Sequence, residues 1–231
     1  MHILFRISEA GYNKVKPSYV NNSSCTLNAT KTFTHAKWKV IADNISESTF
    51  EMLSKVDLGE LVEHVNVGHG AGTFNLALDY ALTLPEDEIV YFLENDYLHR
   101  PGSEQVLEEG FRVGAEFVAL YDHPDKYMNG VNPYVSDGGE VTKVFLSDSC
   151  HWKLTNSTTM TFAARVGTLK KYEEVLRKYT STSHPHDFEM WIELREKGAS
   201  LITPLPGYST HGESAWLSPL TNWEQYASSN S

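Results

Sequence analysis

An apolar run, EIVYFL, ends directly in Glu94, Asn95 and Asp96, and Pro101 and Gly102 then break the chain. Burial of an unpaired carboxylate is costly, so a group that neutralises these side chains is expected nearby. Carboxylate and amide oxygens suit Mg²⁺ or Mn²⁺, and such an ion can in turn hold the phosphates of a ligand. The alternative from this segment alone is a strand that leaves the core into a solvated polar turn.

Two later segments also carry side chains of interest. Asp187, in HPHDFEMWIELREKG, precedes a helical pattern, and aspartate at a helix start is often an N-cap residue. Glu189 follows on the same predicted helix. His211 lies between Gly207 and Gly212 in a segment that we predict to be a flexible loop. A lone histidine in a loop is commonly a surface residue. The two segments by themselves therefore do not assign a role to Asp187 or to His211.

The elements that position these residues alternate between strand and helix over the first 120 residues. Short apolar runs predict buried strands, and repeats at helical spacing predict helices over 73–84 and 103–114, the latter with Ser103 as N-cap. This alternation favours a parallel, doubly wound sheet, in which ligands bind outside the carboxyl ends of the strands. The predicted strands are His2–Ile7, Lys37–Asp43, Val62–Val67, Glu88–Glu94 and Ala115–Tyr121.

The second half of the chain has a less regular pattern. Segments 138–147 and 158–166 are typical of strands that form a hairpin system on the main sheet. Segments 166–179 and 187–198 are typical of helices, the latter ending at Gly198 as the C′ residue. We find no linker composition that would separate independent domains.

Composition limits the function classes. The 231 residues carry a net charge of −11, which disfavours nucleic acid and anionic membrane surfaces as partners. No apolar stretch approaches the roughly 20 residues that span a bilayer, and the apolar run at the amino terminus is too short for a signal sequence. The two cysteines, Cys25 and Cys150, are expected to be free thiols in a reducing compartment. We therefore expect a cytoplasmic protein without a transmembrane segment.

The segment GHGAGTFNLALDYALTLPEDEIVYFLENDYLHRPG resembles the central block of GT-A glycosyltransferases, which use nucleotide sugars. The shared features, in order, are a small-residue turn at 68–72, the helix residue Asn75, an acidic motif after an apolar strand, and Pro101. The chain departs from the family's DXD motif in having Glu94 as the first acid. It also has Asn95 where a compact group from large DNA viruses and bacteria usually has aspartate.

The resemblance extends from about Ile3 to His211 and implies a fold. This is the GT-A fold, a Rossmann-like, mostly parallel doubly wound sheet with a smaller acceptor-side subregion. It implies one domain over 1–231, with a nucleotide-binding lobe at 1–97 and an acceptor-side lobe at 98–231.

The resemblance also implies the site chemistry. Asp96 and His211 would hold Mn²⁺ or Mg²⁺ on the donor's diphosphate, and Asp187 would take the proton of the acceptor hydroxyl in an inverting transfer. Capping of the helix remains the alternative role for Asp187, with Glu189 as the reserve base. Glu94 would meet the ion directly, through water, or not at all, binding the sugar or ribose instead.

The donor-binding residues implied by the resemblance lie at strand ends and on the helix after the turn. Arg6 and Ser8 would meet the base or phosphate, and Asp43 the base or ribose, although strand-end residues often serve only turns. The full donor-binding set is Arg6, Ser8, Asp43, Asn75, Glu94 and Asn95.

On the acceptor side, the segment TNSTTMTFAARV resembles the strand that lines the acceptor site in these enzymes. Asn156, Thr158 and Thr159 would contact sugar hydroxyls, and Trp152 would offer an apolar face to a sugar ring. The threonines are equally explained by their preference for strands.

The implied function is metal-dependent transfer of a sugar from a nucleotide-diphosphate sugar, a UDP-sugar on family grounds, to a hydroxyl of a glycan or glycoconjugate. One alternative is a non-catalytic module that binds a sugar or nucleotide. The other is a sugar-nucleotidyltransferase, which needs a glycine-rich basic loop after the first strand; this chain has only Gly11 there.

Overall fold

The computed structural model describes residues 1–9 and 14–228, so Gly11 lies outside the described residues. The helices are α1 (Asn22–Thr32), α2 (Glu47–Ser54), α3 (Gly70–Leu82), α4 (Ser103–Arg112), α5 (Val166–Lys178), α6 (Asp187–Glu196) and α7 (Glu224–Ser228). The first strands are β1 (His2–Ser8), β2 (Lys37–Asp43), β3 (Val62–Val65), β4 (Ile89–Glu94), β5 (Tyr97–His99), β6 (Phe117–Val118) and β7 (Val135–Ser136). The later strands are β8 (Gly139–Glu140), β9 (Val144–Leu146), β10 (His151–Leu154), β11 (Phe162–Arg165), β12 (Leu201–Leu205) and β13 (Ser209–His211).

The main sheet has nine strands in the order β3-β2-β1-β4-β11-β6-β12-β10-β9. Strands β3, β2, β1 and β4 are mutually parallel, and β6 and β12 also pair in parallel. Strand β11 runs antiparallel to both β4 and β6, and β10 runs antiparallel to β12. The predicted fold class, a mostly parallel Rossmann-like α/β sheet, is confirmed. Strands from both sides of residue 97 share this one sheet.

Helices cover both faces of the sheet because the central strands are apolar on both faces. In β1, Leu4 packs in the core with α3, α5 and α6, whereas Phe5 packs in the opposite core with α1, α2 and α4. Phe74 of α3 is buried in the first core, and Leu107 of α4 is buried in the second. The sheet is therefore doubly wound, as the sequence predicts.

Several predicted element bounds need correction. The fifth predicted strand, Ala115–Tyr121, is reduced to Phe117–Val118. Helix α4 has Gly102 as its N-cap residue, with a φ of 83°, a backbone conformation that glycine adopts at low cost. Ser103 is the first helical residue instead, and its hydroxyl donates to the carbonyl of Arg100 at 2.7 Å.

A two-stranded ribbon outside the main sheet joins the two halves of the chain. Strand β5, which follows Asp96, pairs antiparallel with β13, and Tyr97 lies opposite His211. The predicted flexible loop around His211 is therefore wrong, because this residue ends a buried strand. The ribbon holds His211 beside the acidic motif.

The predicted hairpin system is wrong in its pairing, because segment 158–166 forms β11 inside the main sheet, between β4 and β6. Segment 138–147 contains β9, which pairs antiparallel with β10 at the edge of the sheet. Both cysteines are free, and Cys25 is buried. In the part of the chain that the structure describes, no helix is both long and apolar enough to cross a bilayer.

Candidate functional site

A cleft of about 380 Å³ opens at the carboxyl ends of β1, β2 and β4. The parallel register aligns these ends, since Ser8 lies opposite Asp43 and Arg6 lies opposite Glu94. This is the edge at which open α/β sheets bind ligands. Six of the nine predicted site residues line the cleft, namely Arg6, Ser8, Asp43, Glu94, Asn95 and Asp96.

Asp43 shapes one wall of the cleft through backbone hydrogen bonds. Its buried carboxylate accepts from the amide of Val67 at 2.7 Å and from that of Gly68 at 2.9 Å. These bonds fix the turn that leads into α3, where His69 is the N-cap residue and its Nδ1 accepts from the Gly72 amide. The first turn of α3 thereby faces the cleft, which Gly70 lines.

Arg6 is buried and bound to the protein on several sides. Its guanidinium donates to the carbonyls of Gly70 and Met160 and lies 3.3 Å from Oε1 of Glu94. Thr161 donates a further hydrogen bond to Glu94 at 3.3 Å. Arg6 therefore compensates the charge of Glu94, and its Nε has no hydrogen-bond partner among the described residues.

Asn95 connects the acidic motif to the neighbouring loops. Its side-chain amide donates to the carbonyl of Ser8 at 3.2 Å and to the side-chain oxygen of Asn22 at 2.7 Å. The amide thus ties the end of β4 to the end of β1 and the start of α1. An uncharged residue suits this place, since both of these partners accept a hydrogen bond.

Asp96 is a buried carboxylate surrounded by nitrogen atoms. Its Oδ2 lies 3.3 Å from Nε2 of His211 and 3.2 Å from the ammonium groups of both Lys14 and Lys16. Burial alone would raise the pKa of Asp96. The hydrogen bond and charge of His211, with the charges of Lys14 and Lys16, instead hold this pKa well below its usual range.

Lys14 and Lys16 are site residues that the sequence analysis missed. Lys14 also lies 3.0 Å from Nε2 of His211. Burial alone would lower the pKa of Lys14, but the charges of Asp96 and Glu94 raise it above its ordinary value. The available signal was the pair of lysines in KVKP, placed shortly after the first strand of an acidic chain.

The approach of β13 to the acidic motif depends on Gly212. A Cβ atom at this position would lie 2.7 Å from the carbonyl oxygen of Asp96 and 2.3 Å from Cγ1 of Val20. Both distances are too short for a normal contact, and the one to the Asp96 carbonyl cannot be relieved without movement of the backbone. Glycine therefore allows His211 to reach Asp96.

The chemistry of Asp96 and His211 fits a divalent cation. One carboxylate oxygen and one imidazole nitrogen lie close enough together to bind a single ion, and both suit Mn²⁺. Among residues 1–9 and 14–228, no cluster of three or more His, Cys, Asp or Glu side chains is arranged to hold a metal. An ion here would therefore have two protein ligands and complete its shell from phosphate or water.

Asp187 is the first residue of α6, whose N-cap is His186. Its carboxylate accepts from the amide of Phe188 at 2.8 Å, so it serves the first turn without occupying the N-cap position. A Cβ at Gly70, which lines the cleft, would lie 3.9 Å from Pro185, and this places the start of α6 beside the cleft. Burial raises the pKa of Asp187 to about 6, and the nearby charges of Glu94 and Glu189 add to the rise.

Asn75 lies away from the cleft lining. Its amide donates to the carbonyl of Thr180 at 2.9 Å, and its oxygen accepts from the Thr180 hydroxyl. These bonds join α3 to the loop after α5. A structural role is thereby present, and donor binding by Asn75 stays a prediction.

The acceptor-side residues are mostly buried. Trp152 is fully buried, and its indole nitrogen donates to the hydroxyl of Ser147. The prediction that Trp152 offers a face to a sugar ring is therefore wrong. Asn156 is paired with Asn132 through hydrogen bonds in both directions. Thr159 shares a hydrogen bond of 2.6 Å with the Tyr97 hydroxyl, behind the acidic motif.

No protein-family model matches the chain, and no curated protein matches it. Among solved structures, it is similar to A197 from STIV, with 14% identity, 91% of this chain and 85% of that chain covered, and a TM-score of 0.46. It is also similar to CMP:2-keto-3-deoxy-manno-octonic acid synthetase complexed with CTP, with 11% identity, 92% and 93% covered, and a TM-score of 0.49. A third similar structure is residues 1–349 of S. aureus TarS, with 14% identity, 74% and 48% covered, and a TM-score of 0.44.

These similarities concern the arrangement of the backbone and leave ligands and activity open. The mostly parallel, Rossmann-like α/β sheet predicted from the sequence is confirmed by the chain's own strand order, with helices on both faces of the sheet.

Proposed function

We propose that the protein is a glycosyltransferase that moves a sugar from a nucleoside diphosphate sugar to an acceptor hydroxyl, with inversion at the anomeric carbon. The donor is a UDP-sugar in this proposal, and the acceptor is a hydroxyl of a glycan or glycoconjugate. The observation that carries the proposal is the environment of Asp96. A buried carboxylate at the end of β4 is surrounded by His211, Lys14 and Lys16, in the cleft where open α/β sheets bind ligands.

Binding of a diphosphate is supported by the charges of the cleft. At Asp96, two ammonium groups face one carboxylate, and Arg6 compensates Glu94. Among the described residues, the other two carboxylates that line the cleft, Asp43 and Glu9, already accept hydrogen bonds from the protein. The first turn of α3 adds backbone amides and the positive end of a 13-residue helix dipole. A negatively charged phosphate is therefore favoured although the whole chain carries a charge of −11.

We further propose that Asp96 and His211 hold Mn²⁺ or Mg²⁺ when the donor binds. Such an ion supplies Lewis-acid stabilisation of the negative charge that develops on the departing diphosphate. Asp96 and His211 are the residues that orient it, and the Lys14 and Lys16 ammonium groups add positive charge at the same end of the cleft.

Asp187 is the proposed general base. In the transfer, the acceptor hydroxyl loses its proton to a carboxylate oxygen of Asp187 while the acceptor oxygen bonds to the anomeric carbon. The bond from that carbon to the diphosphate oxygen breaks, and its electron pair leaves with the nucleoside diphosphate. A pKa of about 6 suits this role, since the carboxylate is ionised at neutral pH and still has useful basicity.

The proposal is tested by incubating the protein with a panel of nucleotide sugars and Mn²⁺ and measuring released nucleoside diphosphate. We expect slow hydrolysis of one donor that stops in EDTA and in Asp96→Asn. The matched control is Asp57→Asn, since Asp57 is exposed and has a φ of 61°, which asparagine adopts readily.

Other outcomes contradict the proposal. Tight nucleotide binding without turnover of any donor would identify a binding module. Release of pyrophosphate from a nucleoside triphosphate and a sugar phosphate would identify a sugar-nucleotidyltransferase.

A further inference from the structure

Lys14 contacts both of the protein atoms that the proposed cation needs. Its ammonium nitrogen lies 3.2 Å from Oδ2 of Asp96 and 3.0 Å from Nε2 of His211. Lys16 lies 3.2 Å from the same Asp96 oxygen. The two lysines therefore differ in their contacts, because the described interactions of Lys16 at this site are with the carboxylate alone.

The contact with His211 limits what else this imidazole can bind. Lysine is a donor only, so a hydrogen bond between the two requires Nε2 to be the unprotonated nitrogen. The same nitrogen lone pair is the one that ligates a metal ion. Nε2 also lies 3.3 Å from Oδ2 of Asp96, to which it donates when it is protonated. When Nε2 is unprotonated and able to bind a metal, Lys14 occupies the lone pair that the metal would take.

A bound diphosphate would offer the Lys14 ammonium group a second set of partners. A divalent ion that enters beside Asp96 repels the ammonium groups of Lys14 and Lys16. A diphosphate carries negative oxygens that accept hydrogen bonds from ammonium groups, and both lysines line the cleft. Binding of the ion alone is then opposed by Lys14, and binding of the ion with a diphosphate is not.

We propose that Lys14 is a resident counter-cation that excludes the divalent ion from Asp96 and His211 until a nucleoside diphosphate arrives to accept its ammonium group. Lys14 thereby couples metal binding to donor binding and keeps the empty site free of metal. This inference rests on the proposed function, since it concerns the same cation and the same diphosphate.

The experiment measures Mn²⁺ binding by the electron paramagnetic resonance signal of the free ion, with and without UDP. The proteins compared are the wild type, Lys14→Gln and Lys31→Gln. Lys31 is an exposed residue in the last turn of α1, so its replacement changes the net charge equally without touching the cleft. Asp96 keeps Lys16 and His211 as partners in Lys14→Gln, which favours an intact fold.

Without nucleotide, we expect Lys14→Gln to bind Mn²⁺ at least about tenfold more tightly than the wild type. Tenfold is the change in affinity that corresponds to the loss of one charge-assisted hydrogen bond. In saturating Mn²⁺ the same variant should bind UDP about tenfold more weakly, because a donor to the phosphates is lost. Lys31→Gln should match the wild type in both measurements. A general structural defect would weaken both affinities, so the opposite signs are specific to the proposal.

Lys14→Arg provides a second variant that keeps the positive charge. It should retain weak Mn²⁺ binding in the absence of UDP, as in the wild type. Unchanged or weaker Mn²⁺ binding in Lys14→Gln, or unchanged UDP binding in Mn²⁺, would overturn the inference.

Failure of the inference is separable from failure of the proposed function. If the wild type consumes a nucleotide sugar and binds UDP with Mn²⁺, but Lys14→Gln shows no tighter Mn²⁺ binding, only the role of Lys14 is wrong. If no protein in the set binds Mn²⁺ while UDP binds in EDTA, both the role of Lys14 and the proposed metal site are wrong. Absence of both UDP binding and donor turnover removes the proposed function itself.

Discussion

The carboxylate of Asp96 lies 3.3 Å from Nε2 of His211, although the two residues come from distant parts of the chain. The pairing of β5 with β13 produces this proximity, because Tyr97 is directly opposite His211 in the ribbon. The contact is thus set by backbone register. Substitutions that move the ribbon should act on the site as strongly as substitutions of the two residues themselves.

Replacement of Gly212 tests that dependence. In Gly212→Ala the new methyl group meets the Asp96 carbonyl and Val20, so we expect β13 to shift and the protein to lose about 1–3 kcal/mol of unfolding free energy. Mn²⁺ and UDP affinities should fall with it. The control is Gly139→Ala, where a Cβ meets no atom within 4 Å. Equal stability and affinity in the two variants, measured by denaturant unfolding and calorimetry, would contradict the role of the ribbon.

Replacement of Asp187 tests the base. Asp187→Asn keeps the size of the side chain but cannot accept the proton, so kcat should fall by about 10²–10⁴ with donor affinity little changed. Glu189→Gln is the comparison, because Glu189 is exposed and lies in the same turn of α6. Steady-state kinetics with a true acceptor decide between them. Near-normal transfer by Asp187→Asn with a large loss in Glu189→Gln would reassign the base.

The pH dependence of transfer provides an independent check on Asp187. Its folded-state pKa is raised to about 6, so the ionised base is lost as pH falls through that value. We therefore expect kcat/KM to decline below pH of about 6, whereas an aspartate with an ordinary pKa would titrate near 4. A pH–rate profile that stays flat down to pH of about 5 would exclude Asp187, with its raised pKa, as the base.

Protein stability should respond to pH through the same residue. Because the folded state holds the Asp187 proton more tightly than the unfolded state, this residue lowers stability as pH rises from its unfolded value of 3.8 through about 6. Asp187→Asn should therefore raise Tm at pH of about 7.5 and give a smaller gain at pH of about 4. Thermal unfolding of both proteins at the two pH values measures this. A lower Tm for the variant at the higher pH would indicate that the carboxylate serves mainly the helix start.

The sequence was informative where short-range patterns decide structure. The apolar run before Glu94 predicted a buried strand, and β2 was predicted to the residue at Lys37–Asp43. The position of Asp43, Glu94 and Asp96 along one cleft followed from the rule that parallel strands end at a common edge.

Features that depend on distant contacts were not predictable in this way. His211 lies in a strand only because β5 is there to pair with it, and its flanking glycines predicted a loop. Lys14 and Lys16 reach Asp96 across the chain, and no local pattern specifies that contact. Trp152 was assigned to a sugar face because aromatic residues suit both cores and sugars, and its burial depends on the packing around β10.

The most direct test of the account is a crystal of the protein grown with Mn²⁺ and UDP, with anomalous scattering recorded at the manganese edge. We predict one anomalous peak, from a manganese ion within bonding distance of Asp96 Oδ2, His211 Nε2 and the diphosphate. The Lys14 ammonium group should then donate to a phosphate oxygen. A nucleotide bound elsewhere, or no manganese beside Asp96 while Lys14 keeps its present contacts, would contradict the central claim.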